Sequence, residues 1–251
     1  MDECRRLARR ITEARFVMLF TGAGMSTGSG IPDFRGPNGL WKNWRPVYFQ
    51  EFMTDAEARK RHWEFKSSGW EQFRDAQPND GHRALAELEK RGHLHCLVTQ
   101  NIDGLHQLAG SNAESVIELH GTNRAIECVQ CHQRMEPDPV YQEFAQTGEP
   151  PACSCGGWLK PATVSFGQAM PETALKQSFR NAEQSQVVIA IGSTLEVQPA
   201  ALVPLKAQEA GAFYAIINRG PTAHDRYADL RLEGDASQLL VGLLDEVVRL
   251  S

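Results

Sequence analysis

The stretch Phe16-Val-Met-Leu-Phe-Thr-Gly-Ala-Gly-Met-Ser-Thr-Gly-Ser-Gly30 decides the fold. Its first five residues are a continuous apolar run, ended by a glycine-rich turn, which is the pattern of a parallel strand buried on both faces. Glycines at such a turn let backbone approach a ligand closely. A helix starting there would offer unpaired N–H groups and a positive dipole end to a pyrophosphate. The same glycines also describe a tight turn that binds nothing. The spacing departs from the dehydrogenase fingerprint, because the third glycine falls at Gly28, one position late. No strand carrying a ribose-binding acid follows about 20 residues on, so hydride transfer is disfavoured.

Working outward, similar apolar runs occur at Leu94–Val98, Val116–Leu119, Val187–Ile191 and Phe213–Ile217. Residues 2–14 carry Leu7, Ile11 and Ala14 at helical spacing, and further helical patterns lie at His82–Lys90, Ala200–Ala210 and Ser237–Leu250. Strands alternating with helices predict an α/β fold, a Rossmann-like doubly wound parallel sheet with ligands at the carboxyl ends of its strands. Two stretches break the rhythm. Residues 39–77 hold nine of the twenty aromatic residues, and residues 122–159 are rich in Cys, Gln and Pro. Both read as insertions beside the main sheet. The expected division is a discontinuous nucleotide-binding domain (1–38, 78–121 and 160–251) and a smaller lobe built from a helical insertion (39–77) and a zinc-binding insertion (122–159).

Bulk properties narrow the partners. Of 251 residues, 41% are hydrophobic and 23% charged, and 31 acidic against 26 basic side chains leave a formal net charge of −5. That balance disfavours a general nucleic-acid binder. No run approaches the roughly 18 apolar residues of a membrane span. The apolar stretch Phe16–Phe20 is too short for a secretory signal and lacks a small-residue cleavage site. Six cysteines in a chain this long do not suggest a disulfide scaffold, so a reduced, cytoplasmic protein is expected.

Three constellations carry chemistry. Gln100, Asn101 and Asp103 sit just past a strand end, where polar side chains converge on ligands, although Asn and Asp are also ordinary turn formers. His120 ends another strand before Gly121, where an imidazole can take a proton from a hydroxyl. His82 and His106 are read as structural. Cys128-x-x-Cys131 and Cys153-x-Cys155 can close a tetrahedral, structural zinc site that holds together an insertion too small for its own core. The second pair has one intervening residue rather than two, and His132 is a conceivable but awkward substitute ligand.

The run Gly22–Gly36, GAGMSTGSGIPDFRG, strongly resembles the opening signature of the sirtuins, the NAD-dependent protein deacylases. So does Thr99–His106, TQNIDGLH, followed by Glu118-Leu-His-Gly121. Gly192–Val197, Ile217-Asn218 and Gly234-Asp-Ala236 match three further blocks in family order.

The resemblance implies a protein-lysine deacylase that uses NAD as co-substrate, carries one structural Zn2+, and acts on acyl-lysine proteins or peptides. It makes His120 the general base, with Asn101 beside it. Gln100 would hold a ribose, Asn101 and Asp103 would contact the nicotinamide end, Asp103 through the carboxamide, and Ile102 would be a further cofactor contact. Ala23, Asp33, Phe34 and Arg35 would form a flap over the cofactor. Gly22, Gly24, Ser26, Gly192, Ser193 and Thr194 would take phosphate or ribose contacts, Asn218 the adenosine ribose and Ala236 the adenine side. Val164, Phe166, Gly167, Glu196 and Val197 belong to the two segments between which a substrate peptide would lie as an added strand.

Family members that favour succinyl or malonyl groups share a Tyr-x-x-Arg pair, where this chain has Lys66 and Gly69. Neutral acyl groups are therefore expected, with Lys66 able to restore part of the missing charge. ADP-ribosyl transfer or NAD hydrolysis on the same fold is the alternative activity. A nucleotide-sensing module is a third reading, which would require catalytic residues to be missing.

Overall fold

The computed structural model describes residues 2–34, 39 and 44–251. Six parallel strands form the main sheet: β1 (Val17–Thr21), β2 (Cys96–Thr99), β3 (Val116–Glu118), β7 (Val187–Ile191), β8 (Phe213–Asn218) and β9 (Leu230–Glu233). Their order is β3-β2-β1-β7-β8-β9, which is the expected doubly wound sheet. The strand order reverses between β1 and β7, so the loops leaving these neighbours diverge and open a crevice at the carboxyl edge.

The continuous apolar runs have a direct cause, since each central strand feeds two cores. Val17, Leu19, Leu97, Ile189 and Ile217 point into one apolar cluster, beneath helices α1 (Asp2–Glu13), α5 (Asp80–Lys90) and α10 (Ala236–Leu250). Met18, Phe20, Val98, Val188 and Ile216 point into the other, covered by α8 (Glu172–Gln184) and α9 (Leu202–Glu209). Neither α8 nor β9 was legible as an element. In β9, Leu230 and Leu232 are buried and Arg231 and Glu233 are not, the alternation of an edge strand rather than an apolar run.

One expectation is corrected. Among the described residues, no α-helix starts at the first glycine turn. The chain makes two short 3₁₀ turns, Ala23–Met25 and Thr27–Ser29, and stops at Gly30 with φ +82°. Glycine density prevents a helix from propagating there, so no long-helix dipole stands behind this loop. The helix of this crossover is α5, which begins after the first insertion.

That insertion folds as α2 (Phe49–Thr54), α3 (Ala56–Ser68) and α4 (Trp70–Asp75). The second makes α7 (Pro137–Thr147) and a three-stranded antiparallel sheet of β4 (Gly121–Cys128), β5 (Arg134–Met135) and β6 (Leu159–Thr163), ordered β5-β4-β6. β4 forms no apolar run because its burial is irregular and its register on β6 shifts between Gly121 and Ile126. β6, although buried at four of five positions, carries Lys160 and Thr163 among them. A short helix, α6 (Leu105–Leu108), completes the set. The two insertions share one apolar core. Trp63 is fully buried, its ring lies 5.3 Å from Tyr141 and 5.8 Å from Phe144, and its Nε1 donates to Leu159 O at 3.2 Å.

Candidate active site

Backbone geometry builds the floor of the crevice first. Gly22 N donates to Ile191 O at 2.9 Å and Gly24 N to Gly192 O at 2.8 Å, locking the β1 and β7 loops together. A Cβ on Gly24 would stand 2.8 Å from Gly192 Cα, so a side chain there would force the loops apart. A cavity of about 1600 Å³ opens above this junction.

Its wall gathers most of the residues singled out from the sequence. Gly22, Ala23, Gly24, Asp33, Phe34, Gln100, Asn101, Ile102, His120, Gly192, Ser193, Thr194, Asn218 and Ala236 all line it, as do Val164, Phe166, Gly167 and Val197. Ser26 and Asp103 lie behind the wall, 1% and 3% exposed. Glu196 is exposed and does not line the cavity. Arg35 lies outside the described residues.

Behind the wall is a polar network. Ser26 Oγ donates to Asp103 Oδ2 at 2.7 Å, and Leu105 N donates to Asp103 Oδ1 at 2.9 Å. Asn101 Nδ2 donates to Gly22 O and to Ser26 Oγ, both at 3.1 Å. Burial pushes the Asp103 carboxyl above its ordinary value, opposed by the Leu105 amide, the Ser26 hydroxyl and the Arg124 charge. Arg124 itself, which the sequence reading missed, donates from Nε to Asp103 O at 2.7 Å and from Nη1 to Arg74 O at 3.2 Å. It ties the catalytic-edge loop to the small lobe, and an isolated arginine in an insertion gives no sequence signal of such a role. Gln100 Nε2 donates to Ser193 Oγ at 2.9 Å across the β2 and β7 loops.

His120 stands at the end of β3, held by the turn into β4. Gly121 takes φ +69°, and a Cβ there would collide with the Ala162 carbonyl, so only glycine lets the chain turn so close to β6. His120 Nδ1 lies 3.0 Å from Gln100 O. A carbonyl only accepts, which assigns the proton to Nδ1 and leaves the lone pair on Nε2. Val164 N donates to His120 O at 2.8 Å, so the 164–167 segment is registered on the histidine itself.

The four thiols also meet. Cys128 Sγ is 3.5 Å from Cys155 Sγ, Cys131 Sγ is 3.8 Å from Cys153 Sγ, and all four sulfurs lie within 4.8 Å of one another. A zinc tetrahedron with bonds of about 2.3 Å has sulfur–sulfur edges of about 3.8 Å, so the cluster fits such an ion. The one-residue gap is accommodated by a turn in which Gly156 N donates to Cys153 O at 2.9 Å with Gly156 at φ +86°. Gly157 is required as well, since a Cβ on it would stand 2.7 Å from Cys128 Sγ. His132 faces away, its Nδ1 3.2 Å from Glu127 Oε1.

A doubly wound sheet with a crevice at its switch point, joined to a thiol-clasped second lobe, defines a nucleotide-binding class with a structural metal. A sequence model of the Sir2 family matches residues 22–199. The NAD-dependent protein deacetylase of Rhodopseudomonas palustris is 45% identical over 93% of this chain and 93% of its own. A solved Sir2 variant with deacetylated p53 peptide and 3′-O-acetyl-ADP-ribose superposes with a TM-score of 0.91 at 33% identity, over 97% of this chain and 98% of that one. Sir2 with p53 peptide and NAD+ gives 0.88 at 33% identity, over 98% of each. The chain belongs to the Sir2 family. Among the described residues no helix is long and apolar enough to cross a membrane.

Proposed function

We infer that the protein is an NAD-dependent protein-lysine deacylase, releasing free lysine, nicotinamide and O-acyl-ADP-ribose. The observation that carries this reading is the oriented His120, facing a cavity shared with Asn101 and the 164–167 segment. The names of relatives at 41% and 45% identity, NAD-dependent protein deacetylases, support the same activity. The glycine floor fits a dinucleotide, because Gly22, Gly24 and Gly192 let the β1 and β7 loops pack backbone against backbone beneath the cavity that all three line. Bound NAD supplies a nicotinamide–ribose bond whose cleavage leaves an electrophilic sugar carbon.

The chain's own residues then position and move protons. Asn101, fixed by Gly22 O and Ser26, and Ile102 orient the nicotinamide end, with Asp103 bracing them from behind. Gln100 and Ser193 hold ribose, and Gly192 and Thr194 flank the phosphates. Asn218 and Ala236 meet the adenosine end. Asp33 and Phe34, which line the cavity with Ala23, flank the cofactor. Nε2 of His120 takes a proton from a ribose hydroxyl. The substrate backbone pairs between Val164–Gly167 and Glu196–Val197, with Phe166 walling the acyl-lysine slot. Cys128, Cys131, Cys153 and Cys155 hold a zinc ion whose role is structural, because four protein ligands leave no open position. Thiol ligation of this kind suits a reducing compartment, and we assign the protein to the cytoplasm.

The test is mass spectrometry of products from NAD+ with and without an acetyl-lysine peptide. Peptide-dependent O-acetyl-ADP-ribose is expected. Nicotinamide release that ignores the acyl group would replace this reading with ADP-ribosyl transfer or NAD hydrolysis. His120→Ala is expected to lose about 10³-fold or more in kcat, roughly 4 kcal/mol, while NAD affinity changes only a few-fold.

A further inference from the structure

Lys160, the second residue of β6, is only 3% exposed. Its amine is spent on oxygens that carry no charge. Nζ donates to Pro161 O at 3.1 Å and to Thr163 O, and it reaches Gln168 Oε1 at 3.5 Å. An ammonium has three N–H donors, so these acceptors use all of them. Glu127, which faces Lys160 across the β4–β6 pairing, is itself bonded to Arg134 and His132. A cation buried on neutral acceptors is costly, and an apolar side chain of similar volume would fill the space without that cost. What the amine holds in place is read from where its acceptors lie.

They lie on the segment that leaves β6 for the cavity. Gln168 N donates to Ser165 O at 3.0 Å, closing residues 165–168 into a turn, and Gly167 in its third place has φ +77°. The Gln168 side chain folds back on this turn. Its Oε1 accepts from Ser165 N at 3.0 Å and is the same oxygen that Lys160 reaches. Lys160 therefore ties the residue before the segment, Thr163, to the residue after it, Gln168. Between them stand Val164, Ser165, Phe166 and Gly167, all of which line the cavity. Two further bonds hold the segment from its flanks. Val164 N donates to His120 O, and Phe49 N at the start of α2 donates to Phe166 O, both at 2.8 Å.

We propose that Lys160 is a positioning residue for the protein substrate: through Thr163 O and Gln168 it sets the shape of the 164–167 segment, and hence how tightly an acyl-lysine peptide pairs beside His120. The inference rests on the deacylase reading and deepens its substrate side. The bonds of the amine run to the peptide-facing segment, not to Gln100, Asn101 or Asn218 on the NAD side. Losing it should therefore weaken the enzyme's hold on peptide and leave its hold on NAD+ intact.

The experiment measures steady-state kinetics with an acetyl-lysine peptide and NAD+ varied in turn. Lys160→Met keeps the volume and loses the donors. Peptide KM should rise about tenfold or more, while NAD+ KM and kcat at saturating peptide stay within about twofold. Lys160→Arg should regain most of the loss, because a guanidinium also donates to several carbonyls. Gln168→Ala should raise peptide KM by less. The double variant Lys160→Met/Gln168→Ala should lose less than the product of the two single losses, as residues acting through one another do. An unchanged peptide KM in Lys160→Met, a loss shared equally between peptide and NAD+, or single losses that simply multiply overturns the proposal. Should Lys160→Met not fold, Gln168→Ala decides alone, since it leaves the amine its two backbone carbonyls; an unchanged peptide KM there overturns the proposal as well. An unaltered enzyme that forms no peptide-dependent O-acetyl-ADP-ribose would sink the deacylase reading instead.

Discussion

At the carboxyl edge of the large sheet, Ser26, Asn101 and Asp103 bond one another and the backbone, at 2.7 to 3.1 Å. At the tip of the small lobe, four sulfurs crowd together with chiefly one another for company. The difference lies in what stands behind each cluster. The first is braced by strands that bury side chains on both faces, so its polar groups can be satisfied from within the chain. The second closes a lobe with a single modest core around Trp63, and a thiol cluster without its ion is a source of mutual repulsion as the thiols ionise. One region carries its own order, whereas the other borrows order from a metal.

The largest effect should therefore follow metal removal. Chelation, or Cys131→Ser, is expected to take the zinc content from about one per chain to none and to unfold the 122–159 segment, since such sites contribute on the order of 10 kcal/mol. Hydrogen exchange reads this region by region, with protection lost in β4, β5 and α7 and kept in β1, β7 and β8. A metal-free lobe that stays protected would erase the contrast.

Trp63→Ala probes the same contrast from the apolar side. The indole is fully buried and joins α3 to α7 and β6. Its removal should cost about 3–5 kcal/mol, felt as an earlier denaturant transition of the small lobe with the large-domain transition little changed. A single, uniformly shifted transition would mean that the two regions unfold as one body.

Much of this contrast was legible in the sequence, for reasons that differ by element. Strands β1, β2, β7 and β8 announce themselves because burial on two faces demands unbroken apolar runs. The cysteine pairs announce themselves because few other uses place thiols so closely. Edge strand β9 and the β4–β6 sheet do not, since a strand with one wet face or a shifted register looks like any polar segment. At the site, Gln100, Asn101 and His120 follow from strand ends. Arg124 does not, because its role arises from contacts between an insertion and a loop about 20 residues away in sequence. The missing helix after Gly30 was a misreading of glycines that serve close backbone approach rather than helix initiation.

The smallest expected effect tests the intrinsically ordered side. His82 and His106 are buried beneath the crevice with rings 4.9 Å apart. His82 Nδ1 accepts from Asn79 N at 3.3 Å, closing the capping box of α5, and His106 Nε2 meets Thr21 Oγ1 at 3.0 Å. Burial, then Arg83, lowers His82 to about 4, and burial, then His82, holds His106 well below its ordinary value. Protonating His82 Nδ1 would also break its bond with Asn79. The unfolded chain takes up these protons first, so stability falls as pH drops from about 6.5 toward 4, by up to about 3 kcal/mol for one such imidazole. His82→Gln should remove about that much of the difference in unfolding free energy between neutral pH and about pH 4. Because the small lobe also loses metal as its thiolates protonate, the comparison must follow the large-domain transition alone. An unchanged slope there would mean that the acid sensitivity of this region comes from groups other than the paired imidazoles.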